Sequence, residues 1–210
     1  MMKQKLDLAT WPRKQHFEFF NQFEEPYFGV TVNVDVTLAY EHAKAAGVSL
    51  FIYYLYQSLG AANITEPFRY RIEGDEVMVY DAVHASATIN RPNGTFGFSY
   101  INYNESFARF LEGAEQEIGH VQSTNDLMPS TSGQNVIHYS TLPWINFTSI
   151  SHARMFSYKE SVPKISFGRI TDVEGQKIMS MSVHVHHALM DGLHVGQYIQ
   201  CFQDLLNMGL

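Results

Sequence analysis

Near its C-terminal end the chain reads VHVHHALMDG, Val183 to Gly192, with three histidines and one aspartate in ten residues. Imidazoles gathered so closely can bind a metal, fill a core, or move a proton. On a strand, Val183, Val185 and His187 face one way, and His184 and His186 the other. The alternate spacing of His184 and His186 suits a pair of metal ligands, but a zinc site needs a third. The remaining histidines are scattered singly and no CxxC exists. His187 shares its side with valines, and a ring half-buried among them is kept neutral near pH 7 and able to accept a proton. Asp191 follows four residues later, where Gly192 relaxes a sharp turn, and can cap a helix or pair with a cation.

The elements that must position these residues are legible from periodicity. GVTVNVDVT, Gly29 to Thr37, alternates as a half-buried strand, and Thr37 reads as the cap of a helix ended by Gly47. From Ser49, LFIYYLYQSLGAA is apolar on more than one face and predicts a buried helix capped by Ser49. FRYRI and VMVY predict a hairpin turning at Gly74 and Asp75. Strands are expected at ASATIN and TFGFSYINY. Glu105 to Gln122 carries Phe107, Phe110, Leu111, Ala114, Ile118 and Val121 at helical spacing. NVIHYS, PKISFGRI and KIMSMSVHVHH predict three more strands, the last two a hairpin across Asp172 to Gly175. After Asp191 the period switches, with Val195, Tyr198, Ile199, Phe202, Leu205 and Leu206 on one helix face. The opening motif is therefore a strand running into a helix.

A chain of 210 residues without a linker or repeat fits one core, so residues 1–210 are expected to form a single α/β domain. With 45% hydrophobic and 17% charged residues it can pack one. A net charge of −7 argues against nucleic-acid binding, and no apolar run reaches the length of a signal peptide core or a membrane span. A cytoplasmic protein is expected. The single cysteine, Cys201, falls inside the last helical pattern, where a small buried hydrophobe is its commoner role.

HHALMDG followed by LHVGQYIQCFQDLL resembles the HHxxxDG signature of the chloramphenicol acetyltransferase family, in which the second histidine is the general base. WPRKQHFEFF resembles the family's N-terminal run of Trp, Arg, His, Phe, Glu and an aromatic. STLPWINFTS resembles its Ser-x-x-Pro-Trp-x-x-Phe segment, and PFRYRIEGDEVMVYDAV and GTFGFS also correspond. Related motifs occur in peptide-synthetase condensation domains and plant acyltransferases, which are about twice as long, and in dihydrolipoamide acyltransferases, which show a DHR version.

The resemblance implies a two-layer α/β sandwich with a mixed sheet and a homotrimer with active sites between subunits. It implies acetyl transfer from acetyl-CoA to a hydroxyl, without metal or covalent acyl-enzyme. By similarity His187 is the base and Ser140 the oxyanion donor, and an Arg13–Asp191 ion pair fixes the turn that presents His187. Trp144, Ser166 and Arg169 fall where the family approaches CoA, while Phe20, Phe28, Phe96 and His138 fall at its acceptor pocket. This sequence departs from the family at SHARMFSY, from Ser151, where an LNVAN-like segment is expected. It departs also at His138, in place of an asparagine or aromatic, at Ile170, and at Gly47 and Ser49. Chloramphenicol is the expected acceptor; the alternatives are another hydroxyl compound or a catalytically silent trimeric binding protein.

Overall fold

The computed structural model describes residues 2–129, 131, 133–155 and 160–210. A six-stranded mixed sheet organises it, with strands β2 (Tyr27–Asp35), β5 (His84–Asn90), β6 (Phe96–Phe98), β7 (Val136–Thr141), β8 (Lys164–Val173) and β9 (Gln176–His186) in the order β2-β9-β8-β7-β5-β6. The β5-β7 and β7-β8 pairs are parallel and the others antiparallel. A smaller antiparallel sheet joins β1 (Lys3–Lys5), β4 (Glu76–Tyr80) and β3 (Tyr70–Glu73) in the order β1-β4-β3. The helices are α1 (Lys14–Phe20), α2 (Thr37–Ala46), α3 (Leu50–Ile64), α4 (Phe107–Ser123) and α5 (Gly192–Met208). The expected α/β sandwich with a mixed sheet is the observed architecture.

Strand alternation divides the large sheet into two chemically distinct faces. Ala85 and Ala87 on β5, Ile137 and Tyr139 on β7, Ile165 and Phe167 on β8, and Met181, Val183 and Val185 on β9 are buried in the main core. Helices α3 and α5 cover this side: Tyr54 and Phe202 pack on the Phe167 ring, and Ser58 bridges the hydroxyls of Tyr139 and Tyr198. These buried hydroxyls partner one another, which removes the cost of leaving them unsatisfied. The opposite face carries Ser86, His138, Ser140, Lys164, Ser166, Ser182 and His184, aligned across the strands.

The β8-β9 hairpin turns on Glu174 and Gly175, both at positive φ (53° and 85°), the geometry of a two-residue turn that matches strand twist. Gly47, at φ 68°, ends α2 in the left-handed region that favours glycine. Local expectation fails at three places. Val36, not Thr37, is the cap of α2, because the Thr37 hydroxyl is engaged by Asp35 and by the Lys177 amide across the sheet. TFGFSYINY forms a strand only over Phe96–Phe98, with an isolated bridge at Ile101. Helix α1 was legible only as a motif. Cys201 lies on α5, half-buried against the core, and burial pushes its thiol pKa up.

Candidate active site

His187 stands one residue past the end of β9, its amide still donating to the Pro26 carbonyl at 2.8 Å. Alternation therefore continues through it, and the imidazole emerges on the side of Val185. There it stacks on Phe20 of α1, with ring centroids 3.9 Å apart and planes 15° apart, and meets Phe28 of β2 at 4.7 Å. Its Nδ1 lies 3.2 Å from the Met190 carbonyl. A carbonyl can only accept, so this contact assigns the proton to Nδ1 and the lone pair to Nε2.

The turn after His187 is braced from both ends. Arg13, just before α1, forms an ion pair with Asp191 and donates through Nη2 to the His187 carbonyl at 3.2 Å. Asp191 is also the N-cap of α5, accepting from the Leu193 amide at 3.0 Å, while its own amide donates to His194 Nδ1 at 3.2 Å. Asp191 thus combines the capping and ion-pair roles. Partial burial raises its carboxyl pKa, but Arg13, His194 and the Leu193 amide outweigh it and hold the group below the usual range. The side chains of Arg13 and Asp191 are 13% and 34% exposed, so the pair is worth less than a fully buried one. Arg13→Ala is expected to cost about 2 kcal/mol, seen as a melting temperature roughly 4–8 °C lower in calorimetry.

Ser140 is not near His187 in this chain. Register places Ser140 opposite Ser166 and Ser166 opposite Ser182. His187 is five residues beyond Ser182 along β9, so strand rise and spacing put the two about 20 Å apart. Because Tyr139 faces the helices, Ser140 faces the opposite side of the sheet. Ser166, beside Ser140, is fully buried, and its hydroxyl has no hydrogen-bond partner. Trp144 and Arg169 are exposed, and the Arg169 amide bonds the Ile145 carbonyl, which ties the Trp144 loop to β8. Phe96 is 45% exposed and packs edge-on against Phe98, which itself lines a cavity of about 300 Å³ with Ser140 and His138.

Sequence reading missed the charged group behind that cavity. Lys164 Nζ donates to both oxygens of Glu160 at 2.8 Å, and His138 Nε2 lies 3.3 Å from the same carboxylate. Burial raises the Glu160 pKa, but His138 and Lys164 overcome this and hold it at about 2. His152 is pushed down to about 4, by burial first and then by the charges of His184 and Lys164. Its ring meets His184 edge-on at 4.8 Å, and Arg154 lies over Tyr27 at 3.8 Å, so this part of SHARMFSY lies against β2 and β9. Phe156, Ser157 and Tyr158 lie outside the described residues. His186 is engaged by the Ala188 amide and packs on Tyr27.

Both depressed groups have the same linkage sign. Between pH 6.5 and 4 the unfolded His152 binds more protons than the folded one, and between 4.5 and 2 the same holds for Glu160. Stability is therefore lost as pH falls through each window. Urea unfolding at stepped pH is expected to show this, with Glu160→Gln changing less than wild type between pH 4.5 and 2.

The sequence and the fold both have relatives among known proteins. The chloramphenicol acetyltransferase family model matches residues 1–203. A chloramphenicol acetyltransferase of Proteus mirabilis is 26% identical over 205 residues, covering 97% of this chain and 94% of its own. Chloramphenicol acetyltransferase 3 of Escherichia coli is 27% identical over 210 residues, 98% of each chain. A solved chloramphenicol acetyltransferase structure superposes with a TM-score of 0.88 at 32% identity, covering 98% of this chain and all of its own. With the family pattern matched along almost the whole length and the fold superposing end to end, the chain belongs to the chloramphenicol acetyltransferase family of acyltransferases.

Proposed function

We propose that the protein transfers acetyl from acetyl-CoA to a hydroxyl of a small acceptor, in a homotrimer whose sites join His187 of one copy to Ser140 of the next. The observation that carries this reading is the fixed imidazole of His187, stacked on Phe20 and bonded through Nδ1 to the Met190 carbonyl. Nε2 takes the acceptor's hydroxyl proton as its oxygen attacks the thioester carbonyl. The oxyanion accepts a hydrogen bond from the Ser140 hydroxyl. Collapse expels the CoA thiolate, which recovers the proton from Nε2, and the acetyl ester leaves. The separation of about 20 Å between His187 and Ser140 within one chain supports a site completed by a second copy.

For the donor, a cavity of about 540 Å³ runs from Ser49 and Tyr54 to Thr141 and Pro143, next in sequence to Ser140. Its volume suits a small-molecule ligand. Trp144, Ser166 and Arg169 serve the CoA side, and Ser49 lines the donor cavity. A cytoplasmic setting suits a reaction fed by acetyl-CoA, and among the described residues no helix is long and apolar enough to cross a membrane.

Chloramphenicol is the first acceptor to assay, because the relatives carry that name and Phe20 and Phe28 offer aromatic faces. A different hydroxyl acceptor is the second reading, favoured by the ionised group beside the Ser140 cavity. Purified protein with acetyl-CoA is expected to release CoA thiol when a suitable alcohol is added. No thiol release with any alcohol, together with no acetyl-CoA binding in calorimetry, would overturn the transfer reading.

A further inference from the structure

The two halves of the proposed site differ in the polar groups they offer. Beside His187 the walls are aromatic. Beside Ser140 the cavity of about 300 Å³ sets polar groups, from Ser86, Thr88, His138, His152 and Lys164, among the apolar Phe98, Ala153 and Ile165. Register aligns Ser86 with His138 and His138 with Lys164, so three neighbouring strands present these groups in one row. Glu160 joins His138 to Lys164, and the side chains of Lys164 and Glu160 are only 12% and 18% exposed. A second cavity of about 220 Å³ shares His152 and Lys164 and extends to Tyr27, Arg154 and His184.

An apolar acceptor pressed against these groups would strip water from an ammonium and imidazoles and return no hydrogen bonds. Hydroxyl groups accept from Lys164 and do either with Ser86, Thr88 and the imidazoles. His152 adds a buried ring nitrogen, Nε2, that has no hydrogen-bond partner. Such an atom in a cavity wall points to a ligand or water that completes it. The charges cancel in pairs, Lys164 with Glu160 and Arg154 with Glu25, so the walls select hydrogen-bonding capacity and not net charge.

We propose that the acceptor is a neutral, hydroxyl-rich compound of the sugar or alditol class, its reacting hydroxyl toward His187 and its other hydroxyls on Ser86, His138, His152 and Lys164. This rests on the acetyl-transfer reading. Buried polar groups of this kind reject a ligand that lacks the matching groups far more strongly than an apolar pocket rejects a polar one.

The test is a thiol-release panel on the purified full chain with acetyl-CoA and five acceptors: methyl glucoside, methyl galactoside, glucitol, chloramphenicol and 2-phenylethanol. The best polyol is expected to exceed both aryl alcohols in kcat/KM by about 100-fold or more. Lys164→Met is expected to shrink that ratio at least about tenfold, as is His138→Phe, which alters a more exposed side chain and serves if Lys164→Met does not fold. Chloramphenicol or 2-phenylethanol equalling the best polyol overturns the inference and leaves acetyl transfer standing. A ratio unmoved in folded variants also overturns it. Absence of thiol release with all five acceptors overturns the inference; joined to absence of acetyl-CoA binding in calorimetry, it defeats the transfer reading as well.

Discussion

Purified His187→Ala is expected to release CoA thiol about 10²- to 10⁴-fold more slowly than wild type, while its affinity for acetyl-CoA in calorimetry stays near the wild-type value. The size of the loss follows from the role. An alcohol is a poor nucleophile toward a thioester unless its proton leaves as the bond forms, and alanine supplies no acceptor for that proton. The loss belongs in kcat, because the contact matters most as charge develops in the transition state. Retention of the fold is expected because Arg13 binds the main-chain carbonyl at 187 and the Asp191 carboxyl, neither of which alanine removes. Turnover near the wild-type rate in a folded His187→Ala protein would remove His187 from the role of base.

The second large effect is a recovery. Ser140→Ala is expected to lose about 10²- to 10³-fold in kcat through the missing oxyanion donor, so it and His187→Ala are each nearly inactive. Refolded together in equal amounts, they are expected to regain activity. A site drawing His187 from one copy and Ser140 from the next is intact when the first copy is the serine variant and the second the histidine variant. Random assortment makes this so at about one quarter of sites. Strand register places the two residues on opposite faces of one sheet, so no rearrangement within a single chain restores the pair. Mixed trimers confirmed by native mass spectrometry yet showing no more activity than the separate variants would rule out the shared site.

Much of the frame is legible in the sequence because its signals are local. Helices α4 and α5 carry long apolar stripes, and Glu174-Gly175 falls within the expected turn between β8 and β9. The site is legible in part. Alternation separates His187 from His184 and His186, and Asp191-Gly192 marks the strand-to-helix turn. His194 at the third position of α5 completes a capping box, a signal that the spacing from Asp191 would have revealed. The Met190 carbonyl that orients His187 is a main-chain atom and leaves no trace in residue identity. Thr37 misleads because a sequence neighbour, Asp35, and a tertiary partner, the Lys177 amide, claim the hydroxyl that a capping rule assigns to the helix.

What the sequence determined by itself is most of the longer elements, the side of β9 on which His187 emerges, and the turn chemistry of Asp191, all governed by periods of a few residues. Tertiary structure alone decided how far His187 lies from Ser140, and which groups line the cavity on the serine side. Strand order β2-β9-β8-β7-β5-β6 and the parallel β7-β8 register bring His138 beside Lys164, residues 26 positions apart in the chain. Such alignments arise from packing one whole face of a sheet against helices, so no short stretch of chain contains them. Glu160 meets His138 only because the segment before β8 returns to the row that β7 has already set.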